Sequence, residues 1–117
     1  PSEFYEKSID ILGKDRTYII CSNNIEQTKK QNVFQGDNFI FNEVVPDDIY
    51  KGHFDLCLMS MCQDFIISNS TFAWWGAWLG KGEGKRVLIP TPWYGPGLSH
   101  ISTDDLYPDE WEKIEWK

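Results

Sequence analysis

Four consecutive polar residues, Ser68-Asn69-Ser70-Thr71, are the side chains of this sequence best placed for chemistry. The apolar run Phe65-Ile66-Ile67 precedes them and the aromatic run 72–79 follows, a pattern that predicts a strand, a turn and a helix. Hydroxyl and amide side chains at such a turn can cap the helix and leave several backbone N–H groups directed outward. We call residues 68–71 the second elbow, because a similar turn occurs earlier in the chain. The amino end of a helix carries partial positive charge, so this elbow predicts a site for an anion such as a phosphate.

A first elbow, Ser22-Asn23-Asn24, follows the predicted strand 17–21. Ligands of open parallel α/β sheets bind outside the carboxyl ends of the strands, and both elbows occupy such positions. If the two elbows face one crevice, one of them can hold a nucleoside and the other its diphosphate. The alternative is that both are ordinary helix caps, each contributing about 1 kcal/mol.

Short apolar strands alternate with helices along most of the chain, which predicts a parallel sheet covered on both faces. We therefore expect a single three-layer, Rossmann-like α/β domain over residues 1–117, with a short parallel sheet of four strands. A Pro- and Trp-rich tail, 90–117, is expected to pack on this domain and to end in a short helix at 108–114. The other predicted helices are 4–12, 24–30, 49–62 and 71–79, and the predicted strands are 17–21, 38–42, 65–68 and 87–89.

The composition excludes several classes of function. The net charge of −7 and the scattered lysines and arginines argue against a nucleic-acid partner. Because the lysines and arginines are scattered, the sequence also shows no evident positive group for binding a diphosphate. The three cysteines have no metal-ligand spacing, which predicts reduced, buried thiols and no metal site. No apolar run approaches the ~18 residues of a membrane span, so a soluble chain is expected, and the reduced thiols predict a cytoplasmic protein.

Tryptophans cluster in the helix that follows the second elbow. Trp74, Trp75 and Trp78 are most simply core and interface residues, because aromatic side chains bury large areas. A platform that stacks on sugar rings is the alternative. Trp93 and Tyr94 follow the strand predicted at 87–89 and suit either a wall of a ligand site or an ordinary structural loop.

The central block, Ser-Asn-Ser-Thr-Phe-x-Trp-Trp-Gly-Ala-Trp-Leu after Asp-Phe-Ile-Ile, resembles the C-terminal motif of the bacterial alpha-1,2-fucosyltransferases of glycosyltransferase family 11. The resemblance extends over nearly the whole chain from about residue 18. The other matching segments are 18–26, 54–62, 87–90 with Trp93-Tyr94, and 105–108 with Trp111.

This resemblance implies the C-terminal, donor-binding lobe of a GT-B-type enzyme that moves fucose from GDP-fucose to the 2-hydroxyl of a galactoside, inverting and without metal or other cofactor. The family's His-x-Arg-Arg-Gly-Asp-like segment, whose arginine is thought to hold the donor diphosphate, does not occur in these residues. The chain is therefore expected to be part of a longer protein with an N-terminal lobe, and to be inactive alone. Peripheral association with the inner membrane face is left open.

The resemblance also assigns donor-binding residues. Two N–H groups of guanine would suit a carboxylate acceptor, and the resemblance carries this role onto Asp55. A solvent-facing acid in the first turn of a helix is the alternative for Asp55. No residue is identified as a catalytic base, and a non-catalytic module that recognises a nucleotide or a protein remains the competing class of function. The full expected donor-binding set is Ser22, Asn23, Asp55, Ser68, Asn69, Ser70 and Thr71.

Overall fold

The computed structural model describes residues 2–22, 25–42, 51–68, 71–91, 93 and 107–115. Helices and strands alternate along them, as the sequence predicts. The helices are α1 (Ser2–Leu12), α2 (Ile25–Lys29), α3 (Lys51–Ser60) and α4 (Thr71–Leu79), with a 3-10 turn at Asn32–Phe34. The strands are β1 (Tyr18–Ile20), β2 (Phe39–Phe41), β3 (Phe65–Ile66), β4 (Val87–Thr91) and β5 (Glu112–Glu115).

All strand pairs of the described residues are parallel, which confirms the predicted sheet type. Strands β1 and β2 form a two-stranded sheet, and β3, β4 and β5 form a three-stranded sheet in that order. The prediction of one sheet with four strands is therefore wrong in the described part of the chain.

Strand β5 replaces the short helix predicted at 108–114. The backbone N–H of Trp111 donates to the carbonyl of Pro108 at 3.0 Å, so Pro108 opens a tight turn. The next residues pair with β4, from Glu112 opposite Leu88 to Glu115 opposite Thr91. Helical propensity over seven residues is weak, whereas pairing with a buried strand satisfies the backbone and buries Ile114.

Strand β4 is buried on both faces. Val87 and Ile89 pack with Ala77 of α4, while Leu88 packs with Phe4 of α1. Successive side chains of a strand point to opposite faces, so one strand supplies both cores. The three-stranded sheet thus lies between two helices, and the three-layer arrangement predicted from the sequence is confirmed for it.

Helix α3 ends at Ser60, two residues before the end of the predicted helix 49–62. Met61 therefore lies in the turn that follows and is 82% exposed. Of the three free cysteines, Cys57 is exposed and Cys21 and Cys62 are half-buried, so the prediction of buried thiols is wrong for Cys57. No helix among the described residues combines the length and apolarity needed to cross a membrane.

Two glycines permit close packing around α4. A Cβ atom on Gly76 would lie 2.7 Å from Cε of Met59, so Gly76 allows α3 and α4 to approach each other. A Cβ atom on Gly80 would lie 2.6 Å from Cζ of Phe65. Phe65 is buried in the core and has little room to move, whereas a methionine side chain is flexible.

We therefore expect Gly80→Ala to lower the free energy of unfolding by about 1–3 kcal/mol, the usual cost of overpacking a core. Urea denaturation measures this change. Gly82→Ala is the matched control: its Cβ would meet only the exposed side chain of Gln63, at 3.0 Å, which can move. Equal stability of the two variants would contradict the packing of Phe65 against the end of α4.

Candidate functional site

A cavity of about 750 Å³ lies beside strands β1 and β3. Among the described residues β1 pairs only with β2 and β3 only with β4, so each strand has one unpaired edge. Residues of both strands line the cavity, including Ile19, Ile20 and Ile66. The volume falls within the ~300–1,000 Å³ that is typical of sites for small ligands.

The cavity reaches the carboxyl ends of both strands. Ser22 follows β1, Ser68 follows β3, and both line the cavity. The two-stranded sheet extends from β1 to β2, and the three-stranded sheet extends from β3 to β4 and β5. Ligands of open parallel α/β sheets bind outside the carboxyl ends of the strands, and the cavity has this position at both sheets. The condition that the first residues of both elbows face one crevice is therefore met.

Helix α4 begins at the same end of the cavity. Its first residue is Thr71, and Phe72 and Ala73 line the cavity. The amino end of this nine-residue helix, with its partial positive charge, thus borders the space next to Ser68. Asn23, Asn69 and Ser70 lie outside the described residues, as does the side chain of Thr71. Their contacts with a ligand stay predictions.

Both serines are held by neighbouring hydroxyls. The Thr28 hydroxyl on α2 donates to the Ser22 hydroxyl at 2.9 Å. Ser68 hydrogen-bonds to Tyr5 of α1, which also lines the cavity. Burial raises the pKa of Tyr5 above its ordinary value, and the hydrogen bond from Ser68 offsets part of this rise. The sequence analysis missed Tyr5, whose only signal was its position beside the apolar stripe of the first helix.

Asp55 is buried, with 4% of its surface exposed, and it lines the cavity. One carboxylate oxygen accepts a hydrogen bond from the side-chain amide of Asn42, at the end of β2. The alternative that Asp55 is a solvent-facing acid is therefore wrong. A buried carboxylate needs such a partner, and Asn42 was not identified from the sequence.

Positive charge is scarce around the cavity. Arg16 is the one basic residue among its described lining residues, and it is ion-paired with Asp64. Asp64 also accepts the backbone N–H of Arg86 at 2.8 Å. Arg16 precedes β1 and Asp64 precedes β3, so this pair joins the amino ends of the strands, away from Ser22 and Ser68. The described lining thus offers polar, neutral donors to an anion.

Aromatic rings form a wall of the cavity. Tyr5 meets Phe34 edge-on at 5.2 Å, Phe34 lies 6.0 Å from Phe39, and Phe39 stacks on Tyr18 at 5.5 Å between ring centroids. All four residues line the cavity. Such a wall suits a flat, largely apolar group, and the polar groups at the strand ends suit a more polar one.

The tryptophans of α4 are not among the residues that line this cavity. Trp74 packs against the core, which agrees with the simpler expectation for it, whereas Trp75 and Trp78 are 53% and 51% exposed. Trp93 is buried in the core, as expected for a structural loop rather than for a site wall. Tyr94 lies outside the described residues.

These features define a parallel α/β domain with a cavity of ligand size that reaches the carboxyl ends of strands from two sheets. The chain belongs to glycosyl transferase family 11, whose model matches residues 2–115. The O-antigen biosynthesis glycosyltransferase WbnK of Escherichia coli is 32% identical over 109 residues, which cover 89% of this chain and 35% of the relative. The alpha-1,2-colitosyltransferase of Escherichia coli is 33% identical over 119 residues, which cover 96% of this chain and 38% of the relative.

The chain thus spans slightly more than a third of the length of these curated relatives. No solved structure matches it. Family membership confirms the resemblance drawn from the central block.

The raised pKa of Tyr5, a half-buried residue, predicts a specific loss of stability in alkali. Above pH 10.0, the ordinary pKa of tyrosine, the unfolded chain releases this proton while the folded chain keeps it. The unfolded state then binds fewer protons, so the free energy of unfolding falls as the pH rises. Tyr5→Phe should lower stability by about 1 kcal/mol at neutral pH, through loss of the hydrogen bond to Ser68.

In alkali the difference between Tyr5→Phe and the parent protein should shrink, by up to about 1.4 kcal/mol per pH unit for one proton. Urea denaturation from neutral pH to about pH 11 measures this convergence. Some alkaline loss should persist in the variant, because burial also raises the pKa of Tyr18 and Cys62. Parallel stability curves would contradict the burial of the Tyr5 hydroxyl.

Proposed function

We propose that this chain is the donor-binding lobe of a GT-B-type glycosyltransferase that transfers fucose from GDP-fucose to the 2-hydroxyl of a galactoside in glycan biosynthesis. The observation that carries the proposal is that Ser22 and Ser68, the first residues of the two elbows, line one cavity beside the start of α4. Membership of glycosyl transferase family 11 supports the reaction class. The names of the two relatives, one in O-antigen biosynthesis and one an alpha-1,2-transferase, support a glycan product with this linkage.

In the proposed reaction the diphosphate leaving group lies at the amino end of α4, among Ser68, Asn69, Ser70 and Thr71. Donors aimed at developing negative charge are commonly the largest contribution to catalysis. A helix end supplies only about 0.3–1 kcal/mol, or about 2 in a partly buried site. Because Arg16 is paired with Asp64, we infer that the arginine implied by the family resemblance supplies the missing charge.

The nucleoside is proposed to lie between the two elbows, near Ser22, Asn23 and Asp55. The carboxylate of Asp55 would accept the two guanine N–H groups, and the aromatic wall would contact the flat base. No metal or other cofactor is part of this proposal, and no catalytic base is assigned. The remaining partners are proposed to be a glycan acceptor and the other lobe. The protein is proposed to be cytoplasmic, and cell fractionation tests for association with the inner membrane face.

Calorimetry with GDP, ADP and UDP on the full-length protein tests the donor assignment. We expect a clear preference for GDP. Asp55→Asn should reduce this preference by about tenfold or more, because loss of a charge-assisted hydrogen bond costs roughly 1.5–3 kcal/mol. Equal affinity for the three nucleotides would contradict the guanine site and favour the competing class, a non-catalytic module.

Asn42→Ala is the matched control for Asp55→Asn. It removes the hydrogen bond from Asn42 but keeps the carboxylate, whereas Asp55→Asn removes the charge and keeps an oxygen that can accept from Asn42. If Asp55 reads guanine directly, Asn42→Ala retains the preference for GDP and loses only stability. If both variants lose the preference equally, Asp55 acts through the packing of α3 and does not contact the base.

The transferred sugar needs its own measurement, because the name of one relative specifies colitose. We expect the full-length protein to transfer fucose from GDP-fucose to a galactoside, with the new bond at the 2-hydroxyl, as read by NMR of the product. A colitosyl donor assayed in parallel is the comparison. Efficient transfer of colitose without transfer of fucose would contradict the sugar assignment and leave the nucleotide assignment intact.

A further inference from the structure

A second, smaller concavity lies on the surface away from the donor cavity. This notch has a volume of about 350 Å³ and is lined by Trp78, Gly82, Gly84, Lys85, Glu110 and Trp111. The two glycines add no side chain to it, and a Cβ atom on Gly84 would meet nothing within 4 Å. The notch therefore combines two indole rings, one carboxylate and open space.

The exposed ring of the notch is held rigidly. Trp78 stacks on Trp74 with ring centroids 5.3 Å apart and planes inclined by 10°, and Trp111 lies 6.4 Å from Trp78. Lys85 fixes the chain on the other side, since its ammonium group donates to the carbonyls of Ala77, Trp78 and Gly80 at 2.8, 3.3 and 2.9 Å. Half of Trp78 nevertheless remains exposed. A preorganised aromatic surface binds a ligand with little loss of side-chain freedom.

The electrostatics of the notch favour a neutral ligand. The three N–H donors of Lys85 are directed to three carbonyls, so this lysine is poorly available to a phosphate or a carboxylate. Glu110 is exposed and can accept hydrogen bonds from hydroxyl groups. An indole face beside a carboxylate suits a molecule with an apolar C–H face and a rim of hydroxyls, which is the shape of a sugar ring.

The notch lies at the opposite ends of the strands from the two elbows. Lys85 precedes β4 and Glu110 and Trp111 precede β5, so the notch lies at the amino ends of these parallel strands. Ser68, in contrast, follows the carboxyl end of β3. A ligand in the notch is thus distinct from a nucleotide in the cavity.

We propose that this notch is a second carbohydrate site, which binds one or two neutral sugar residues of a glycan by stacking on Trp78 and hydrogen bonding to Glu110. Membership of a glycosyltransferase family, which places the chain among proteins that handle glycans, supports a saccharide as the occupant. The inference does not depend on the identity of the nucleotide in the donor cavity.

Saturation-transfer NMR on the full-length protein tests the proposal, with methyl α-mannoside as the probe, a neutral sugar other than the galactoside proposed as the acceptor. We expect saturation of the ring C–H protons of the sugar, no saturation of glycerol, which has hydroxyls but no ring face, and no loss of signal when GDP is added. Trp78→Ala should weaken sugar binding about tenfold. Trp75 is about as exposed as Trp78 and lies on the same helix outside the notch, so Trp75→Ala should change binding by no more than about twofold.

Absence of saturation, an undiminished signal in Trp78→Ala, or an equal loss in Trp75→Ala would overturn the site. Displacement of the sugar by GDP would also overturn it, because the sugar would then occupy the donor cavity. If Trp78→Ala does not fold, Gly84→Asn tests whether the notch binds the sugar. Asparagine tolerates the positive φ of 71° at this position, and its side chain would lie beside the notch. Reduced saturation in Gly84→Asn supports the proposal and an unchanged signal overturns it.

Discussion

Burial of β4 on both faces is the constraint on which the rest of this domain depends. Val87, Leu88 and Ile89 are each at most 1% exposed, with α4 packed on one face and α1 on the other. Strand β3 pairs with one edge of β4 and thereby places Ser68, whereas β5 pairs with the other edge and places Trp111. The two candidate sites, at opposite ends of the strands, are therefore positioned by the same short strand. A fully buried parallel strand of this kind requires covering helices on both sides, which is why helix and strand alternate in the sequence.

The cavity beside β1 and β3 exists because, among the described residues, the two sheets do not pair with each other. Strands β1 and β3 approach at their amino ends through the ion pair of Arg16 with Asp64, and α1 reaches the other end through the hydrogen bond of Tyr5 with Ser68. Between these two connections the unpaired strand edges and the aromatic wall enclose a space of ligand size. Ser22 and Ser68 supply polar groups at the carboxyl ends of β1 and β3, and the aromatic wall supplies an apolar surface. This division suits a ligand with one polar part and one flat, largely apolar part.

Sequence patterns predicted the elements that local chemistry determines and missed those that depend on distant partners. The bounds of α4 were correct because the second elbow and Gly80 mark its two ends. Pro108 predicted the start of a helix. Strand β5 forms there instead, because it pairs with β4, which is buried and distant in the sequence. Likewise the polarity of Asp55 indicated a functional or exposed residue, but its partner Asn42 lies thirteen positions away, on another element. Pairing between elements is not encoded in local periodicity, so neither the split of the sheet nor the role of Tyr5 was predictable.

Three cations of this domain, whose net charge is −7, are used within the fold. Arg16 joins two strands, Arg86 pairs with Glu112, and Lys85 caps the carboxyl end of α4. Each of these contacts stabilises the positions of the helices and strands, and none lies at the amino end of α4. The domain thus supplies shape and directed hydrogen-bond donors, which are useful in catalysis only when they are rigid. Under the proposal that an anion binds at this end of α4, the neutralising cation would come from outside the described cavity lining, since Arg16, its one basic residue, is paired with Asp64.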